Sequence, residues 1–284
     1  MFKKIFFAAA LLLTSELGAK PVVIASIAPV EYLAKAVGGD KIEVQSLAKG
    51  DVHSYEPKPN DMKAVAKARI FIAAGLEFEE AWIPRFKASA KNLVVVKSDA
   101  KIAKLKEERG EQAEHDEKHE AHADPHVWLN PMLAITMARN ISDALIDMDK
   151  ANKDFYLENF QKLMNDLLAF DESAKNELAG LKNRKFVVYH PAWGYFAAHY
   201  DLEQISIERS GKEPKIDEMA STLKMIKDEN IKVIFADPNR SQKSAQILAS
   251  QTGAKVELLD PLGYNLLENL KIAVGAIKDA NSPK

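Results

Sequence analysis

Short apolar, β-branched runs alternate with stretches of helical periodicity along most of the chain. Strands are expected over 22–27, 42–47, 69–73 and 93–96, and again over 186–189, 203–207, 232–236 and 256–259. Most of these runs lack a polar alternate, the pattern of parallel strands covered on both faces. Helical stretches lie between them at 29–37, 61–68, 79–90, 214–229 and 241–251. Regular alternation of strand and helix predicts an α/β fold with parallel sheets. Because four strands precede the middle of the chain and four follow it, two similar lobes are expected.

The middle is helical. Pro131 suits the first turn of a helix reaching about Met148. A longer helix follows, over 151–181, with an apolar stripe at Tyr156, Phe160, Leu163, Leu167, Phe170, Ala174, Leu178 and Leu181. At 1.5 Å per residue it would be roughly 45 Å long, a stiff connector between lobes. The expected division is a first lobe over 20–150, the connecting helix over 151–181 and a second lobe over 182–284.

Two segments depart from this pattern. Lys3-Lys4, the apolar run Ile5 to Leu13 and the small residues Leu17-Gly18-Ala19 read as a secretory signal, cleaved after Ala19. The run is too short to span a bilayer, which takes about 20 residues. From Lys106 to Asp124 no apolar residue is larger than Ala, and residues 107–124 hold eight acids and two bases. Such a segment buries too little surface to order itself, so a mobile acidic loop over 106–124 is expected. Its His115, His119 and His122 are spaced by four and three, which a helical turn would align for weak metal capture.

Composition narrows the chemistry. There is no cysteine, hence no disulfide and no thiolate ligand, and no N-terminal lipid attachment is expected. A secreted protein without an anchor fits a periplasm. A formal charge of −2 gives no reason to expect nucleic acid or an anionic membrane as partner.

Four side chains suited to metal stand at expected strand ends or turns: His53, His126, His190 and Asp260. Asp124-Pro125 precedes His126, and His190 and Asp260 are each followed by Pro. The carboxyl ends of parallel strands face the crevice where α/β proteins bind ligands. Three imidazoles and one carboxylate suit tetrahedral Zn²⁺. Unperturbed imidazoles, with a pKa of about 6.5, would make binding fall off below that pH. For the imidazoles' outward N–H groups, Glu56 and Glu208 are candidate acceptors. Enzyme motifs are missing: there is no His-Glu-x-x-His (His119-Glu-Ala-His122 is one residue short), no phosphate-binding Gly loop and no Gly-x-Ser-x-Gly.

His53-Ser-Tyr-Glu-Pro57, Asp124-Pro-His-Val-Trp-Leu129, His190-Pro-Ala-Trp-Gly-Tyr195, Gly75-Leu-Glu-Phe-Glu-Glu-Ala-Trp82 and Phe235-Ala-Asp-Pro238 together resemble the zinc-type metal-binding solute receptors of ABC transporters. The resemblance runs from Val22 to Gly263. It implies two α/β lobes, a long connecting helix, one ion in the interlobe cleft, and His53, His126, His190 and Asp260 as its ligands. It also implies a periplasmic, monomeric, non-enzymatic receptor that passes Zn²⁺ to a membrane permease. Manganese-type relatives carry a carboxylate where His190 stands. The alternatives are a manganese or iron receptor of the same family, a secreted zinc hydrolase with one open coordination position, and a metal-dependent adhesin.

Overall fold

The computed structural model describes residues 19–106, 123–208 and 216–281. The expected signal segment, the loop histidines His115, His119 and His122 and the expected helix start at Pro214 lie outside the described residues.

All eight expected strands form. The first lobe holds β1 (Val22–Ala25), β2 (Glu43–Ser46), β3 (Ile70–Ala73) and β4 (Val94–Lys97) in the order β2-β1-β3-β4. The second holds β5 (Lys185–Val188), β6 (Glu203–Ser206), β7 (Val233–Ala236) and β8 (Lys255–Leu258) in the order β6-β5-β7-β8. Every pairing is parallel, with Val23 opposite Val44 and Ile70 in one sheet, and Val187 opposite Ile205 and Ile234 in the other. The two sheets share one winding pattern. In each the chain leaves the first strand toward one edge and returns to the other side, so the carboxyl ends of β1/β3 and β5/β7 border a crevice.

Coverage on both faces holds only for the central strands. β3 and β7 are buried throughout, whereas β2, β4 and β8 carry exposed positions. Edge strands have one neighbour instead of two, and their β-branched residues reflect strand propensity more than burial.

Helices α1 (Ala28–Gly38), α2 (Pro59–Val65) and α3 (Glu77–Ser89) serve the first sheet. Helix α4 (Pro131–Met148) starts where expected, since Asn130 Oδ1 accepts from the amides of Met132 at 2.9 Å and Leu133 at 3.2 Å. The connecting helix is α5 (Lys153–Ala179), whose 27 residues span about 40 Å. Its buried stripe is Tyr156, Phe160, Leu163, Leu167, Phe170, Ala174 and Leu178, with Asp171 beside it. The second lobe adds α6 (Gly194–His199), α7 (Ile216–Asp228), α8 (Lys243–Thr252) and α9 (Leu266–Asn281). Two of these, α6 and α9, were not expected. α6 is too short for a periodicity to register, but α9 buries Leu266, Leu270, Ala273, Val274 and Ile277 at a legible helical spacing.

Helix α5 packs against α1, α4 and α9. One apolar core therefore runs from β1 and α1 through α4 and α5 to Phe186, Val188 and α9. Polar ties along α5 reinforce it. Asn159 donates to Val37 O at 3.0 Å, and buried Asp171 pairs with His199 of α6 at 2.6 Å. No helix among the described residues is long and apolar enough to cross a membrane.

Candidate metal centre

The loops at the strand ends bring three of the four expected ligands together. His53 comes from the loop after β2, His126 from the turn before α4, and His190 from just past β5. Their ligand-capable nitrogens lie within 4.8 Å of one another. His190 Nε2 is 3.2 Å from His53 Nε2 and 3.4 Å from His126 Nε2. A tetrahedral zinc ion with Zn–N bonds of about 2.0–2.1 Å requires N···N edges of about 3.3–3.4 Å. The two distances match those edges. His126 and His190 are buried, while His53 sits at the rim with part of its surface in solvent.

Asp260 is not among the three clustered groups. It lies two residues past β8, where its Oδ1 accepts from Asn239 Nδ2 at 2.8 Å and from Leu262 N at 2.9 Å. Its neighbours Pro261 and Leu262 line the pocket together with Asp51, Val52, Asp237, Arg240 and the three histidines. Asp237, at the end of β7, has its pKa raised by burial, with its hydrogen bonds from Asn239 opposing and the Asp260 charge adding to the rise.

A carboxylate lies behind each of the two buried rings. Asp124 Oδ1 lies 2.7 Å from His126 Nδ1 and also accepts the His126 amide at 2.9 Å. Glu208 Oε2 lies 3.1 Å from His190 Nδ1. With Nδ1–H donated outward, each Nε2 keeps its lone pair for the pocket. Two lone pairs facing each other at 3.4 Å repel unless a cation lies between them, so this donor set suits a divalent ion. Glu208 had been expected in this role. Glu56 had too, but it is exposed. Asp124 was missed, although the motif signals it: an Asp two residues before a His accepts both the backbone amide and the ring N–H.

The turn that carries His126 is built firmly. Trp128, fully buried, lies tilted against the His126 ring with centroids 5.3 Å apart and donates Nε1–H to Pro261 O at 2.8 Å. That bond ties the turn to the chain just after Asp260. Tyr195 OH donates to Asp124 O and accepts from Leu105 N, both at 2.8 Å. Lys106 and Ala123 pair in an antiparallel bridge, so the acidic segment begins and ends on one anchored stem. Gly194 leaves room for Asp124, because a Cβ there would come within 3.1 Å of Asp124 Oδ2.

The cluster corrects the acid-sensitivity expected from free imidazoles. The inward part of the His53 ring loses hydration, and the charges of His126 and Arg240 add to this, so its pKa falls to about 4. His190 is pushed well below 6.5, first by burial and then by His126 and Arg240. Both rings stay neutral, and fit to bind a cation, to lower pH than an isolated histidine.

Residues 23–280 match the profile of a family described as the zinc-uptake complex component A, periplasmic, or ZnuA. The chain belongs to this family. It is similar to the high-affinity zinc uptake system protein ZnuA of Bacillus subtilis, with 30% identity over 284 residues, covering 93% of this chain and 88% of that protein. It is 34% identical over 253 residues to a putative metal-binding protein of Treponema pallidum, covering 86% of this chain and 80% of the other. Crystal structures of ZnuA, one of them a deletion mutant with zinc bound, share its fold at a TM-score of 0.86 and 34% identity, covering 93% of this chain. As in this family, the chain is a zinc-type solute-binding receptor of two α/β lobes with a long helix between them.

Proposed function

We propose that the protein captures Zn²⁺ in the cleft between its lobes and delivers it to the permease of an ABC importer. The observation that carries this reading is the convergence of three Nε2 atoms with separations of 3.2 and 3.4 Å, the edges of a tetrahedral zinc site. Imidazole is a favourable donor for zinc, whereas Mn²⁺ favours more oxygens. His53, His126 and His190 are the three nitrogen ligands. Asp260 is the fourth, offering Oδ2 while Asn239 and Leu262 hold Oδ1. One carboxylate leaves the bound site with a charge of about +1, enough neutralisation for tight binding and still compatible with release.

A receptor reading also fits the carboxylates that touch the imidazoles. Asp124 and Glu208 are engaged by His126 and His190, whereas a hydrolase needs a free base beside an open coordination position. The protein is read as a periplasmic monomer. Residues 20–150 and 182–284 are the two lobes, and 151–181 the connector. His115, His119 and His122 add a weaker metal-binding capacity, separate from the tight site.

The test is a zinc titration of metal-free protein against a competing chelator. One tight equivalent is expected, lost in His126→Ala and in His190→Ala and weakened in Asp260→Ala. Tight binding that survives His126→Ala and His190→Ala would overturn the reading.

A further inference from the structure

We infer that Arg240 is a positioning residue that weakens the grip of the site on its ion and so eases release. The inference rests on the zinc site proposed above. Arg240 sits in the loop after β7, behind His190. Its Nη2 donates to Glu208 Oε1 at 2.8 Å, and its Nη1 lies 3.1 Å from His190 Nδ1. The same Nη1 is 4.0 Å from Asp51 Oδ1, and Asp51 Oδ1 also accepts the His53 amide at 3.1 Å. The guanidinium thus reaches from a second-lobe loop to the first-lobe loop that carries His53. Glu208 is only 2% exposed as a side chain and Arg240 only 16%, so solvent screens this group poorly.

The chemistry is directional. Arginine only donates, so it cannot be the partner of a ring nitrogen that itself carries a proton. With Nδ1–H donated to Glu208, Nη1 is a second positive donor pressed against the same edge of the ring. It acts in two ways. It draws on the Glu208 lone pairs, which lowers the basicity that the carboxylate would lend to the imidazole. It also holds a permanent positive charge behind the ring whose front nitrogen binds the cation. Both effects oppose zinc. A simple structural brace would do the reverse, since its loss would loosen His190 and weaken binding.

The sign of the effect is therefore the test. Zinc affinity is measured by chelator competition, and zinc release by mixing the loaded protein with excess chelator. Arg240→Gln should tighten zinc at least about tenfold and slow release, because a charge is removed while a polar donor remains. Arg240→Lys keeps the charge and should stay near the parent. Glu208→Gln should weaken zinc at least about tenfold, and adding Arg240→Gln to it should restore much of the loss. Should Arg240→Gln fail to fold, the Glu208→Gln protein with and without the second change carries the same comparison. Unchanged or weaker zinc binding on removal of Arg240, in either background, overturns the inference. His126→Ala is the control: if it leaves zinc binding intact, the site itself is wrong, whereas if it abolishes binding while Arg240→Gln fails to tighten it, only the role of Arg240 falls.

Discussion

Replacing Asp124 should weaken zinc binding, although its carboxylate faces the back of the His126 ring and not the pocket. Asp124 Oδ1 sits 2.7 Å from His126 Nδ1 and holds the ring in the tautomer that presents Nε2 to the pocket. In Asp124→Asn an amide oxygen can still accept that N–H, so only the charge of the acceptor is lost. A hydrogen bond to a charged group contributes about 1.5–3 kcal/mol against about 0.5–1.5 for a neutral one. The expected cost is therefore about 1.4 kcal/mol, or about tenfold in Kd. Asp124→Ala removes the acceptor altogether and frees the ring to rotate or change tautomer. Its cost should reach the upper end for such outer partners, about 100-fold. The same change leaves the His126 amide without its 2.9 Å acceptor, at a folding cost of about 1–3 kcal/mol. Competition titration with a chromophoric zinc chelator at neutral pH reads the affinity, and thermal unfolding of the metal-free proteins reads the fold separately. If Asp124→Ala folds and binds zinc within about threefold of the parent, well under 1.4 kcal/mol, the carboxylate does not hold His126 for the ion.

Four other outcomes are expected. His190→Glu exchanges a nitrogen for a carboxylate and should lower the zinc-over-manganese preference at least about tenfold, while His190→Ala weakens zinc without favouring manganese; competition titrations with both ions decide it, and an unchanged ratio in His190→Glu would place residue 190 outside the coordination sphere. His53 and His190 have folded pKa values below the unfolded value of about 6.5, so between about 6.5 and about 4 the unfolded chain binds protons that the folded chain does not, and melting temperatures of the metal-free protein should fall across that window; a flat or rising midpoint would refute the neutral cluster. Trp128 lies against His126 and is bonded to Pro261 O, so zinc should change the intrinsic fluorescence, and Trp128→Phe should remove most of that change. Excising residues 107–122 should leave the tight equivalent in place, since Lys106 and Ala123 already pair across the stem; its loss would show that the segment supplies a ligand.

Local chemistry made much of this molecule legible from its sequence. Strands such as Ile70–Ala73 and Val233–Ala236 are read from four apolar residues between breakers, because a strand buried on both faces has no polar alternate. The start of α4 is read from Pro131, because an N1 proline acts within one turn. The stripe of α5 is read from its three-and-four spacing. The clustered histidines are legible for a similar reason, since His126 follows a proline, His190 stands just past β5 and before one, and His53 lies in the loop after β2.

What the sequence could not supply is distance and partnership. His53 and His190 lie far apart along the chain, and only the packing of the two lobes about α5 sets their Nε2 atoms 3.2 Å apart. Which carboxylate backs which ring also depends on three-dimensional neighbours: Glu208 reaches His190 across β6 and β5, whereas Glu56, only three residues from His53, faces solvent. Arg240 has no local motif, and its importance comes from standing behind His190 between charges of both lobes. Even the pKa of His53 is a tertiary property, because the desolvation and the neighbouring charges that lower it come from residues that meet only after folding. Short-range rules decide where chemistry can be placed along a chain; the strength of that chemistry falls off over a few ångströms, so only the folded arrangement decides which groups feel one another.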